Sequence, residues 1–389
     1  MADVVIIGSG ISGASSAYEL AREGLKVVLI DRFGPAAMAS GWTLAGVRQS
    51  GRHPAELPLA KAAVEIWQTL SDELDTPTHY RRGGNLRLAR TPEEAEIISG
   101  IVLDQAAAGL DISLLGSNAE VREVAPALAE HVLCASLCTS DGSADPTSTV
   151  LGFVRAAERL GVETRFGERV FSIDVVDGRV SGVTTDKGTI PAPKVVVAAG
   201  IFGNEVLSPL GITVPLQVPM VTVLRSAPLE ETLTQVIGVA NADCAGRQEY
   251  NGRFRVTSGL QDWHGGLLET ETAAGTRPRV LPTGLSMAEV VQLFGDVVPA
   301  FATAQIEDYW AGLIDLTPDA LPVIDAGTGV EGLVVTMGFS GHGFCLGPIT
   351  GKLVSDLVQE RPARLPIEAF QYSRFHNSRH FLEGATLHG

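Results

Sequence analysis

Three glycines within six residues, Gly8, Gly10 and Gly13, follow the aliphatic run Val4-Val5-Ile6-Ile7, and an acid, Asp31, stands 18 residues after the third. This spacing suits the binding of a dinucleotide. A glycine at 8 permits the tight turn out of a strand, one at 10 lets the backbone approach a pyrophosphate, and one at 13 lets a helix pack closely on the strand. A helix beginning there turns unpaired amides and the positive end of its dipole toward the phosphates. A carboxylate closing the next strand accepts hydrogen bonds from a ribose diol and repels a 2′-phosphate.

Positioning these groups takes a strand, a helix and a second strand, and all three are written in the chain. The run to Ile7 is the first strand, a helical stretch reaches Gly24, and Lys26-Val27-Val28-Leu29-Ile30-Asp31 is the second strand. A bare Gly-x-Gly-x-x-Gly is a weak signal in a chain with 43 glycines; the βαβ context makes it specific here.

The 389 residues suffice for two domains, or one with a large insertion, and 45% apolar against 19% charged residues supply a core. A net charge of -16 argues against nucleic acid and anionic membrane surfaces as partners. Cys134, Cys138, Cys244 and Cys345 are scattered and no second Cys/His pair completes a metal site, so we expect reduced thiols and no metal. No signal peptide is expected before a fold that starts at residue 3. No apolar run reaches the ~20 residues of a membrane span, and the expected location is cytoplasmic.

Helical periodicity covers 56–74, and a helix at about 92–109 starts from Thr91 with Glu94 in capping-box spacing. Another runs over about 147–160 and stops at Gly161. From 170 to 200 strands alternate with turns, including a hairpin at Asp177-Gly178, and the stretch ends in Lys194-Val195-Val196-Val197-Ala198-Ala199-Gly200. The region 215–310 reads as β-rich, with a hairpin at Asn251-Gly252 and a helix near 286–293. The last segment returns to strand, glycine turn and helix: 332–336, then Gly338 to Gly343, then 348–357.

Taken together the chain resembles the FAD-dependent oxidoreductases of the D-amino-acid oxidase superfamily, which includes glycine and sarcosine oxidases, D-amino-acid dehydrogenases and the flavin subunits of opine oxidases. The markers are the N-terminal glycine motif with Asp31, the segment 40–48, Arg82-Gly83-Gly84-Asn85-Leu86, Asp145-Pro146, Val197-Ala198-Ala199-Gly200, Trp310-Ala311-Gly312, Thr317-Pro318-Asp319 and Gly341-His342-Gly343. The resemblance implies an α/β fold, α+β overall. A Rossmann-like FAD-binding domain at 1-80, 140-212 and 308-389 is interleaved with a mainly antiparallel β-sheet substrate domain at 81-139 and 213-307. It implies FAD contacts from Gly8, Gly10, Ile11, Ser12, Gly13, Asp31, Arg32, Ser40, Gly41, Trp42, Val170, Ala199, Gly200, Gly312, Gly338, Gly341, His342 and Gly343.

Three departures bear on the substrate. Relatives that bind an amino-acid carboxylate often carry an arginine shortly before Thr-Pro-Asp, where this chain has Gly312-Leu313-Ile314-Asp315-Leu316. Cys345 stands where monomeric sarcosine oxidases have a lysine, and no cysteine lies near Gly312 to attach flavin, so the FAD is expected to be non-covalent. Arg48 is the first choice to hold a carboxylate, since a guanidinium grips one bidentately, and Arg255 is the second. His53 and Tyr250 are further substrate candidates, and His342 joins Arg48 as a catalytic one.

The reaction so implied is hydride transfer from the α-carbon of a neutral amine to flavin N5, giving an imine that water hydrolyses. The partner is a small amino acid or secondary amine carboxylate, with O2, a quinone or a partner protein as electron acceptor, and a homo- or hetero-oligomer is possible. Alternatives are a 2-hydroxy-acid (C-O) dehydrogenase and the flavin subunit of a larger opine-oxidase-like electron-transfer complex.

Overall fold

The computed structural model describes residues 1–272 and 275–376; the end of the expected FAD-binding segment, 377–389, lies outside them. Two sheets dominate. The first has six strands, in the spatial order Val323–Asp325, Leu333–Met337, Val195–Val197, Val4–Ile7, Val27–Asp31 and Glu163–Phe166. All its pairs are parallel except the one between Val323–Asp325 and Leu333–Met337.

Strand alternation explains why this sheet is buried on both sides. Val4, Ile6 and Leu29 belong to a core shared with the helices Ile11–Arg22, Pro146–Arg159 and Gly343–Val358, whereas Val5, Ile7, Val28 and Ile30 face a core with the three-stranded sheet of Val170–Val176, Arg179–Thr185 and Gly188–Pro191. A strand buried on both faces reads as an unbroken aliphatic run.

The second sheet has eight strands in the order Ile306–Leu313, Met220–Ser226, Phe254–Ser258, Cys244–Gln248, Val236–Val239, Asn85–Ala89, Cys134–Cys138 and Ser113–Leu115. Only Val236–Val239 with Asn85–Ala89 is parallel; the other pairs are antiparallel. One face packs Leu86, Leu88, Ile237, Phe254 and Val256 against Phe294 and Phe301 of the helical layer. The opposite face, carrying Asn85, Arg87, Gly238, Ala245 and Thr257, is turned toward a cavity.

Most elements lie where the sequence places them, and the exceptions are physical. The 56–74 helix is two helices, Leu57–Trp67 and Leu70–Leu74. Between them the amides of Gln68 and Thr69 bond three residues back, to Glu65 and Ile66, tightening the turn, and Thr69 leaves helical geometry at ψ 1°. Glu94 of the capping box reaches the amide of Arg90, not of Thr91, while Thr91 Oγ1 accepts from Glu94 N as expected.

The final helix starts at Gly343, five residues before the expected Pro348, which sits inside it. Tertiary packing holds that proline in place: a Cβ on Gly347 would stand 2.2 Å from Ile11 Cγ1, and one on Gly351 would stand 2.7 Å from the Ser15 backbone. Two glycines thus let this helix press against the first one, where Ser15 Oγ donates to Gly347 O at 2.8 Å. Among the described residues, no helix is long and apolar enough to cross a membrane.

Candidate active site

A single long cavity runs from the C-terminal ends of the parallel strands to the polar face of the eight-stranded sheet. Its first end is built from backbone. Gly8 turns at φ +105°, and a Cβ there would stand 2.4 Å from Ala198 O; a Cβ on Gly13 would stand 1.9 Å from Gly8 O. Both glycines are therefore required by close approach of protein to protein. Gly10 differs: it is the N-cap of a helix with no side-chain cap, and a Cβ there would meet only Ser40 Oγ, at 3.0 Å.

Asp31 ties this end together. Its Oδ2 accepts from Ser9 N at 2.7 Å, and its Oδ1 accepts from Phe33 N and Gly34 N at 2.8 Å. Ser40 Oγ accepts from Ile11 N at 2.9 Å. Arg32 lies 4.8 Å from the Phe33 ring centre and 4.5 Å from that of Phe202, with Glu205 and Glu269 at 3.6 and 3.5 Å. Ile11, Ser12, Val170, Ala199 and Gly200 complete the wall.

Trp42, Gly312, Asp315, Gly341 and Gly343 line the middle. The Gly338 amide donates to Asp315 Oδ2 at 2.7 Å. Burial pushes Asp315 up to about 6 even so, against the backbone amides that favour its charge. Three expected cofactor glycines or neighbours stand behind this wall. Gly13 and Gly41 permit backbone contacts, the latter with a Cβ that would lie 2.0 Å from Ala36 O, and Gly338 sits at φ +71° under Thr317.

The far end is cationic. Arg48, Arg52, Arg87 and Asn85 all line it. Arg48 Nη1 donates to Ser50 O at 2.5 Å, Arg52 Nε donates to Arg48 O at 3.2 Å, and Asn85 Nδ2 donates to Ser50 Oγ at 3.1 Å. Asp141, beneath them, accepts from Gln49 N, Ser50 N and Ser50 Oγ. Burial first, then the neighbouring Arg52 and Arg87, weakens the hold of Arg48 on its proton; burial and Arg52 bring Arg87 down to about 10. Three guanidiniums that oppose one another in a cavity wall form a receptor for negative charge.

Four expected substrate or catalytic side chains are not on this wall. His53 is exposed and caps its own turn, Nδ1 accepting from Ala55 N at 3.1 Å. Tyr250 is 48% exposed and stacks flat on His79, ring centres 3.6 Å apart. Arg255 is buried behind the cavity, donating to Glu249 Oε1 at 2.7 Å and Thr43 O at 2.9 Å, with its guanidinium over Trp310. It holds the segment bearing Trp42 against the second sheet. His342 turns its ring inward, Nδ1 3.0 Å from Glu56 Oε2.

Glu56 links this histidine to the cationic end through Arg52, at 3.6 Å. Burial works against its charge, but His342 and Arg52 hold the carboxyl down at about 2. Burial, then Arg52, lowers His342, against the pull of the Glu56 carboxylate that faces its Nδ1. Arg48 alone of the expected substrate contacts lines the cavity. Arg52, Arg87 and Asp315 were not singled out as ligands from the sequence, although the alternation Asn85-Leu86-Arg87-Leu88 does turn two polar side chains to one face.

The model of a family described as FAD dependent oxidoreductase matches residues 3–357. The chain belongs to this family. It is 28% identical to a D-amino acid dehydrogenase of Allorhizobium ampelinum over 437 aligned residues, spanning 96% of this chain and 98% of that one. Its fold matches the L-proline dehydrogenase from P. horikoshii with a TM-score of 0.86 at 25% identity, over 96% of this chain and 98% of that one. It also matches the glycine oxidase from Geobacillus kaustophilus with a TM-score of 0.86 at 22% identity, over 97% and 99% of the two chains, a likeness of fold alone.

The FAD-dependent oxidoreductase is thus an enzyme, and its residues fit the cofactor. Gly10, the N-cap of the first helix, lines the cavity and brings no side chain of its own to it, while Ser12 of the first turn lines the same wall. A helix N-terminus that opens on a cavity with no Cβ at its cap is what a pyrophosphate needs.

Proposed function

We propose that this oxidoreductase oxidises the C–N bond of an amino acid or N-substituted amino acid. The observation that carries the proposal is the arginine-lined end of the same cavity whose other end suits FAD. The names of the relatives, D-amino acid dehydrogenase, L-proline dehydrogenase and glycine oxidase, support amino-acid substrates.

In this reading the glycine turn at 8–13, Asp31, Ser40 and the segment around Ala199 hold the cofactor. The six-stranded sheet and its helices, at 1-80, 140-212 and 308-389, form the FAD-binding domain, and 81-139 with 213-307 form the substrate domain. None of the four buried cysteines lines the cavity, which supports dissociable FAD. FAD, when bound, supplies a two-electron acceptor: the neutral amine gives up hydride from its α-carbon, and water hydrolyses the resulting iminium to an oxo acid and an amine or ammonium.

The chain's part is binding and orientation. Arg52 and Arg48 hold the carboxylate, fixing the α-carbon at the middle of the cavity, and the apolar wall of Val221, Val223 and Phe344 keeps bulk water away. His342 and Glu56 position Arg52 and take no proton from the substrate. Incubating the FAD-loaded enzyme with a dye acceptor and a panel of amino acids tests this. Dye reduction matched by equal oxo acid is expected; turnover of 2-hydroxy acids with none of any amine would overturn it.

A further inference from the structure

Two opposite electrical influences meet in the middle of the cavity. One is the helix Gly343–Val358, 16 residues long, whose N-cap has no side-chain bond and whose first residue lines the wall. A helix N-terminus acts as roughly half a positive elementary charge. The other is Asp315, which lines the same wall just beyond the end of the strand Ile306–Leu313.

Asp315 is fixed there by the turn that precedes the helix. Gly338, Ser340 and Gly341 take φ of +71°, +53° and +86°, a left-handed run that gathers backbone amides on one side. Gly338 N donates to Asp315 Oδ2 at 2.7 Å, and Ser340 N donates to Asp315 O at 3.2 Å. Thr317 N donates to Ser340 Oγ at 3.2 Å, so the segment bearing Asp315 is stitched to the turn on both sides of the carboxylate. Burial and backbone amides are the leading influences on its charge, and no arginine, lysine or histidine among the described residues forms an ion pair with it.

The balance at the middle therefore runs against negative charge. A full charge outweighs about half of one at like distance. The arginines that would compensate stand at the far end, where the proposed reading gives them the substrate carboxylate. A cofactor whose pyrophosphate lies at Gly10 and which reaches toward those arginines must pass the wall that carries Asp315.

We infer that Asp315 sets the reduction potential of the bound flavin: its carboxylate opposes the negative charge that two-electron reduction adds to the ring, and holds the potential below the value the helix alone would give. The inference rests on the reading that places FAD along this cavity, and it is indifferent to whether an amine or a hydroxy acid is oxidised.

The test is the midpoint potential of the purified flavoprotein at pH 8, read against a reference dye with no substrate present. Burial brings the carboxyl up to about 6, so it is ionised at that pH. Asp315→Asn keeps an oxygen for the Gly338 amide and removes the charge. Its potential should rise by about 30 mV, the two-electron equivalent of a tenfold shift. Asp315→Glu keeps the charge and should return most of the difference, while Asp315→Ser should match the Asn variant. Sulfite gives an independent readout, because its addition to flavin leaves negative charge on the ring: the Asn variant should bind it about 10-fold more tightly than the natural protein.

Equal potentials and equal sulfite affinities in the natural protein and the flavin-loaded Asn variant overturn the inference and leave the FAD reading standing. A Glu variant that follows Asn instead of the natural protein shows that packing, not charge, sets the potential, and overturns it too. Failure of the natural protein to bind FAD would overturn the placement of the cofactor and the inference with it.

Discussion

The two ends of the cavity are made of different material. At the end proposed to hold the nucleotide the protein presents backbone: glycines that let chain approach chain, helix amides and one aspartate that clamps three amides of neighbouring turns. At the cationic end it presents long side chains from a loop and a distant strand, held in place by backbone carbonyls and a buried acid. A backbone site suits a cofactor that never changes. A side-chain site suits a substrate, because one replacement alters what it grips and leaves the frame intact.

The sharpest way to break this contrast is within the glycine turn itself. Gly13→Ala should prevent folding, because its Cβ would stand 1.9 Å from Gly8 O. Gly10→Ala meets only a serine hydroxyl and should fold, yet its methyl stands where the proposed reading puts the pyrophosphate, so FAD affinity should drop about 100-fold. Circular dichroism and flavin titration separate the two. Loss of folding in both would erase the distinction between packing glycines and the ligand glycine.

Next in size is the cationic end. Arg52→Met should lower kcat/KM about 100- to 1,000-fold while FAD stays bound, as loss of a charge-assisted carboxylate contact predicts. Arg255→Met makes the control behind the wall. Removing it leaves Glu249 with Arg247 at 3.7 Å, so stability should fall by about 3 kcal/mol with KM little changed. A rise in KM larger than the loss of stability would place Arg255 in the substrate site after all.

The smallest expected effect is a pH slope in the cofactor-free protein. Asp315 is raised from 3.8 to about 6, so the folded state binds its proton more tightly than the unfolded state. Its favourable contribution is present below the unfolded value and is lost as pH rises through about 6. Asp315→Asn should therefore gain about 2 kcal/mol over the natural protein between pH 4.5 and pH 8 in denaturant titrations. Parallel pH curves would show that Asp315 is not strained in the cavity wall.

The same contrast explains what was legible in the sequence. The backbone end is local: Gly8, Gly10, Gly13 and Asp31 lie within one βαβ unit, and their spacing encodes their task. The cationic end joins 48–52 to residue 87 through the pairing of strands that only the folded sheet brings beside the loop, so nothing local to residue 87 marks it. His342 and Arg255 misled for a related reason. A histidine in a glycine frame and an arginine on a hairpin strand look alike whether they point into a cavity or into the protein, and here Glu56 and Glu249 draw them inward. The Pro348 boundary failed because proline usually begins a helix, whereas two packing glycines keep this one inside.

One measurement addresses the central claim directly: visible flavin absorbance of the purified holoenzyme under anaerobic conditions, on mixing with matched amino acids and 2-hydroxy acids. Bleaching by an amine carboxylate, abolished in Arg52→Met with the flavin still bound, is the predicted result. Bleaching by hydroxy acids alone, or undiminished bleaching in that variant, would contradict the account.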